Sequence, residues 1–221
     1  MYIYKYNLVR EDSASIGIGA MIVFIAMVLV AGIAASVLIQ TSTMLEAQAM
    51  STGSQTINEV AGGLAVFDVE GQVATDIEGL AITVRARAGS PKIDLNHSII
   101  ILSDSTRKVV LRYDYADTSH FNSSVDTTDG RVFGFYYRNL ENDQYAIVVA
   151  EDPDNTVSQL NPTINAGDKV MLFIDTIACF GGTGIGERTD VFGYVYPEHG
   201  SPGVIAFKSP SSYSDTVVDL Q

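Results

Sequence analysis

The stretch Gly181-Gly182-Thr183-Gly184-Ile185-Gly186 is rich enough in glycine to raise the question of phosphate binding. A phosphate cradle needs a Gly-Lys-Ser/Thr ending and a helix opening behind it, so that free backbone N–H groups point at the anion. Neither follows here, and the stretch reads as a flexible loop between strands. His97, His120 and His199 stand in separate segments without the spacing of metal ligands. No serine sits in a nucleophile-elbow context. The single cysteine, Cys179, lies in the apolar run from Val170 to Phe180, where a small core residue is expected rather than a nucleophile. One cysteine also excludes an intrachain disulfide framework. These residue types do not assemble into catalytic machinery, and no cofactor is required by them.

Carboxylates offer a different chemistry. Asp126 with Asp129, and the run Glu151-Asp152-Pro153-Asp154-Asn155, present hard oxygen ligands of the kind that hold Ca²⁺. The same residues are ordinary turn formers, so both readings stand at this level. Two sequons, Asn96-His97-Ser98 and Asn122-Ser123-Ser124, make Asn96 and Asn122 candidate acceptors for N-linked sugar. From Phe67 onward there are 22 acidic and 11 basic residues, in a chain of net charge −13. Nucleic acid is excluded as a partner, because neutralising phosphates takes a basic surface.

The elements that must position these residues fall into two regions. No charged side chain occurs from Ser13 to Leu45, and Ile16–Ile39 contains only apolar residues, glycine and one serine. At ~1.5 Å per residue this run is ~36 Å long, enough to cross a bilayer core and too long for an ordinary secretory signal. Small residues recur four apart as Ser15/Gly19, Ala31/Ala35 and Gly32/Ser36, positions at which helices can approach closely. Ile57, Val60, Ala61, Leu64 and Phe67 then continue a helical spacing, so a helix is expected from about 16 to about 65. The pair Gly62-Gly63 and the lone Gly53 are its weak points.

After Gly71 the pattern turns to strands. Leu80–Arg87 alternates as a half-buried strand does. Further strands are expected at Ser98–Leu102, Val109–Tyr115, Arg131–Tyr137, Tyr145–Ala150, Val170–Ile177, Val191–Tyr196 and Val204–Phe207, with a hairpin-type turn at Asp129-Gly130. The fold class is therefore α+β: a long N-terminal hydrophobic helix followed by an antiparallel β-sandwich or barrel.

The segment from Gly17 to Ala31, reading Gly-Ile-Gly-Ala-Met-Ile-Val-Phe-Ile-Ala-Met-Val-Leu-Val-Ala, resembles the N-terminus of archaeal flagellins (archaellins), relatives of type IV pilins. Ala34–Ser42, Gly167–Val170, Arg188–Val195 and especially Pro197–Phe207 are also similar to that family. The resemblance implies a leader at 1–14, a hydrophobic assembly helix at 15–66 and an extracellular β domain at 67–221. It implies cleavage between Ala14 and Ser15 by a prepilin peptidase, residence in the membrane, then packing of the helix into a filament. The core of that packing is expected at Ile22, Phe24, Val28, Leu29, Ala31, Gly32 and Ala35. Implied partners are further copies or other archaellins, and the motor and assembly platform of the archaellum. The leader reads Arg10-Glu11-Asp12-Ser13-Ala14, whereas family leaders commonly end in basic residues and glycine. A swimming filament is the expected function; an adhesive pilin or an anchored archaellum-associated envelope protein is the alternative. The helix has no acidic residue between Ser13 and Glu46, so register in the core is expected from shape rather than from an ion pair.

Overall fold

A computed structural model describes the backbone at residues 4–124, 133, 140–182 and 184–221, with side chains from Ser15 onward. The first element, α1, is a 58-residue helix over Tyr4–Ala61. No proline occurs before Pro91, so nothing in this stretch removes a helical hydrogen bond or clashes with the preceding turn. The helix ends where the two glycines stand. Gly62 N–H donates the last helical bond to the Asn58 carbonyl at 3.0 Å. Gly63 then adopts φ +131, a conformation essentially reserved for glycine. A strand, β1 (Leu64–Val73), begins at once. The expected extension of the helix to residue 65 or 66 is thus overturned, and Leu64 and Phe67 belong to a strand instead of a helical stripe. The β domain accordingly starts before residue 67, and the chain divides into two compact units, Met1–Ser54 and Gln55–Gln221.

Within the second unit β2 (Ile77–Ala86) returns against β1. Next come β3 (Ile93–Asp94), β4 (Ile99–Ser103), β5 (Lys108–Tyr113) and β6 (Phe121–Asn122). The chain continues through β7 (Gln144–Glu151), β8 (Thr163–Ile164), β9 (Lys169–Asp175) and a short helix, α2 (Thr176–Phe180). It closes with β10 (Asp190–Tyr196), β11 (Gly203–Lys208) and β12 (Val217–Asp219). Among the described residues the main sheet runs β11-β10-β4-β5-β7-β9-β2-β1-β12, with β6 beside β7, while β3 and β8 form a separate pair. Pairing is antiparallel except where β5 and β6 meet β7. Parallel neighbours need a long connection, and the stretch between Tyr113 and Gln144 supplies one. The strands expected at Arg131–Tyr137 and the turn at Asp129-Gly130 lie outside the described residues.

The sheet curls until its ends meet. Leu64 N–H donates to Ser201 O at 3.1 Å and Ser201 N–H to Gly62 O at 2.9 Å. Beyond β12, the side-chain amide of Gln221 accepts from Ala206 N–H at 2.8 Å and donates to Val204 O at 3.3 Å. One glutamine side chain thereby stands in for a missing strand along the edge of β11. Inside the curl Val69, Leu80, Ile82, Ile100, Leu111, Ile147, Leu172, Val195 and Ile205 are buried together. Tyr145 is fully buried among them, and its hydroxyl donates to Leu95 O at 2.8 Å, as a desolvated hydroxyl must.

Two expectations change on the far face. β2 is buried on both sides rather than half-buried, because Ala81, Ala146, Val148 and Phe173 meet Phe133 and Leu140 there. The Phe133 and Phe173 rings stand edge to face at 5.8 Å. The apolar run from Val170 also breaks: Asp175 ends β9 and its Oδ1 accepts from Ile177 N at 2.9 Å and Ala178 N at 3.0 Å, capping α2. Cys179 therefore lies on a helix, buried, with its thiol pushed up to about 12 by desolvation. The glycine loop is pinned rather than free where it is described, since Ile77 and Ile185 exchange backbone hydrogen bonds of 3.0 Å each way.

Candidate functional site

Two features have chemistry to offer: the apolar helix and a carboxylate cluster in the β domain. In α1 the side chains at Ile22, Phe24, Val28 and Leu29 are all exposed, Phe24 by 68% and Val28 by 55%. A Cβ placed at Gly32 would touch nothing, so the face bearing Ala31, Gly32 and Ala35 is open to close approach. Burying one large apolar side chain is worth about 1.5–3 kcal/mol, so a helix that exposes a dozen of them cannot rest in water. By length and composition it can cross a membrane. The helical backbone runs unbroken through the bond between Ala14 and Ser15.

The carboxylate cluster joins the loop after β7 to the turn before β9. Asp152 folds back on its own loop, accepting from Thr156 N at 3.1 Å and Val157 N at 2.9 Å. Asp154 accepts from Asn165 Nδ2 at 2.8 Å and from Thr156 Oγ1 at 3.0 Å. Asp168 is 1% exposed; its Oδ2 accepts from Asn165 N at 2.8 Å, whereas its Oδ1 is buried with no hydrogen-bond partner among the described residues. Carboxylate oxygens of Asp152, Asp154 and Asp168 lie within 4.8 Å of one another. Burial pushes the Asp168 carboxyl above the usual aspartate range, and the neighbouring Asp152 and Asp154 charges push the same way. The Asn165 and Thr156 side chains hold Asp154 below it. An orphaned, desolvated carboxylate oxygen beside two more carboxylates is a donor set that fits a hard divalent cation.

Of the acidic run in the sequence, Asp152 and Asp154 enter this cluster. Glu151 does not; it pairs with Lys169 at 3.0 Å. Asn155 serves the turn, at φ 55. Asp126 and Asp129 lie outside the described residues. Asp168 has no place in that sequence reading, because it stands in a different segment. Of the sequons, Asn96 sits in a single 3-10 turn whose Ser98 is buried, with its hydroxyl donating to Asp94 O at 3.2 Å. Asn122 is part-exposed in β6, and Ser124 is exposed. His97 meets Asp94 at 3.1 Å, His199 meets Glu198 at 3.5 Å, and His120 is buried, so the three histidines stay apart.

The sequence profile of archaeal-type flagellin matches residues 14–207. The chain belongs to that family. Flagellin B2 of Methanocaldococcus jannaschii is 38% identical over 219 residues, covering 98% of this chain and 99% of that protein. Flagellin B3 of Thermococcus kodakarensis is 36% identical, covering 96% of this chain and 98% of its own length. Among solved structures, the crystal structure of archaeal flagellin FlaB1 from M. jannaschii matches with a TM-score of 0.63 at 29% identity, over 73% of this chain and 98% of that one. The archaeal flagellum of Methanospirillum hungatei shares the fold, with a TM-score of 0.58 at 13% identity over 91% of this flagellin and 98% of that chain. The flagellin is thus a structural protein of the archaeal flagellum.

Proposed function

We propose that this flagellin is made as a membrane-resident precursor, cut between Ala14 and Ser15 by a prepilin-type peptidase, and packed through α1 into the core of a swimming filament. The observation that carries this reading is the exposed apolar surface of α1 between Ser15 and Leu45, which bears no charged side chain, on a chain of the flagellin family. The membrane satisfies that surface before assembly and neighbouring helices satisfy it afterwards, so extraction exchanges one apolar environment for another. The acidic β domain faces outward, where net charge keeps filaments soluble. The assembly platform and motor of the archaellum are its partners at the filament base. Deleting this chain tests the reading: cells lose swimming filaments, whereas intact motility with lost adhesion contradicts it.

The cluster of Asp152, Asp154 and Asp168 holds Ca²⁺ in this proposal. The cation neutralises the orphaned Asp168 oxygen and ties the loop after β7 to the turn before β9. Between the ordinary aspartate value and the raised one, the folded chain keeps a proton that the unfolded chain has released, so stability falls as pH climbs through that window. Bound Ca²⁺ offsets that loss. With Ca²⁺ at a hundred times its Kd, the detergent-solubilised chain gains about 2.7 kcal/mol, seen as a rise of several degrees in Tm. In Asp168→Asn the Ca²⁺ response disappears and the pH-dependent fall shrinks, keeping only the share of Asp68 and Glu70, which burial also raises. A wild-type Tm indifferent to Ca²⁺ and chelator contradicts the site.

Asn96 and Asn122 carry N-linked sugar in this reading, with Asn122 favoured because its sequon serine, Ser124, is exposed whereas Ser98 is buried. Mass spectrometry of filaments from Asn122→Gln cells shows the larger loss of glycan mass; a larger loss from Asn96→Gln reverses the ranking.

A further inference from the structure

Like charges set directly opposite one another on neighbouring strands weaken a sheet. β2 and β9 carry such a pair. Arg85 stands opposite Lys169, in a row that runs Ala65, Arg85, Lys169, Glu151 across β1, β2, β9 and β7. Both cations converge on one ring. Phe67 is the unpaired residue of a bulge in β1, where Val66 faces Val84 and Asp68 faces Thr83, and bulges re-aim side chains. Arg85 Cζ lies 5.4 Å and Lys169 Nζ 5.9 Å from the centre of the Phe67 ring. A ring attracts cations without neutralising them. Among the described residues Glu151 alone answers the two charges, and it meets Lys169 Nζ at 3.0 Å, not Arg85. Asp68, next to Phe67, meets Asp219 instead. The Arg85 guanidinium is left exposed beside a second cation.

The same pair lines an open cavity of about 380 Å³. Ala65, Ala86, Ala166 and Gly167 leave the room in it, and Arg85, Arg87 and Lys169 supply the charge. Arg87 is held in place, since its Nε donates to Leu64 O at 3.1 Å. Asp168 also borders the cavity, but at 1% exposure its carboxylate offers it almost no surface. Three of the 11 basic residues from Phe67 onward thus gather at one place, in a region that carries 22 acidic ones. We infer that this cavity binds an oxyanion between Arg85 and Lys169: the carboxylate, phosphate or sulfate group of a small ligand. The guanidinium presents parallel N–H donors to two oxygens of such a group, and the ammonium adds a compact charge beside them. The volume falls in the range of small-molecule sites, so a free inorganic anion and the acid group of a sugar both fit. Either one turns a repulsive pair into a bridge, and ties the end of β2 to the start of β9.

Isothermal titration calorimetry of the detergent-solubilised full chain tests this, with inorganic phosphate and glucuronate as the two probes. The buffer is free of Ca²⁺ and its ionic strength is fixed with chloride, which takes general screening out of the comparison. The expected result is saturable binding at one site. Tighter binding of phosphate assigns the site to a free anion, and tighter binding of glucuronate assigns it to an acidic sugar. Arg85→Gln weakens the better probe at least tenfold. Arg112→Gln, which removes an exposed cation from β5, changes it less than twofold. Thermal unfolding supplies a second readout: the better probe raises the Tm of the parent chain and leaves that of Arg85→Gln unmoved. Saturable binding of neither probe, or equal weakening by the two substitutions, overturns the assignment.

Discussion

Val28→Asp leaves cells with no filaments from this chain. Val28 lies in the middle of the stretch from Ser13 to Leu45 that has no charged side chain. No cation is within that stretch to pair with a new carboxylate. In the filament core the aspartate is either ionised without a partner or protonated at a cost. Removing a lone charge from water costs several kcal/mol per subunit even after relaxation. That penalty repeats at every copy, so it accumulates along a polymer as it does not in a monomer. Bilayer insertion of one such residue costs about 2.5–3.5 kcal/mol, because lipid can thin and admit water around it, which a close-packed core cannot. The variant therefore accumulates in the membrane fraction and is missing from sheared filaments, while Val28→Ile assembles. Electron microscopy and immunoblots of the two fractions check this, and normal filaments built of Val28→Asp contradict a buried core.

Gly63→Ala unfolds the β domain at much lower temperature than the parent. Gly63 has φ +131, and a Cβ there would run into the backbone of Ser201, whose N–H and C=O tie β1 to the segment entering β11. Backbone strain of about 1–3 kcal/mol adds to an overpacking cost of similar size. For a domain of this size each kcal/mol lowers Tm by roughly 2–4 °C, so a drop on the order of 10 °C is expected. Gly89→Ala is the control: φ is +83, yet a Cβ meets nothing within 4 Å. It loses only the strain, about 1 kcal/mol. Equal shifts for the two variants, read by thermal unfolding in detergent, contradict closure of the sheet at Ser201.

How much of this was legible without coordinates depends on how local each signal is. The apolar run of α1 announces itself within two dozen residues, and β10 and β11 are short runs rich in β-branched and aromatic residues, so their chain segments were readable as strands. The end of the helix was not, because Leu64 and Phe67 satisfy a helical spacing, and only the demand for φ +131 at Gly63 decides against it. Burial of both faces of β2 depends on Phe133 and Leu140, which no window around Leu80 contains. β12 is three residues long and shows no periodicity, and the link from beyond it to β11 is made by the side chain of Gln221. In the carboxylate cluster, Asp152 and Asp154 stood out in an acidic run. Asp168 did not, because burial and an orphaned oxygen distinguish it, and neither is a property of its sequence neighbours.

In the proposed life history α1 ends as the processed core of a surface filament. Intact mass and N-terminal sequencing of the subunit from sheared filaments test it in one measurement. The expected subunit lacks residues 1–14, begins at Ser15 and comes from the filament fraction. A chain that keeps Met1 and is confined to the membrane contradicts the claim.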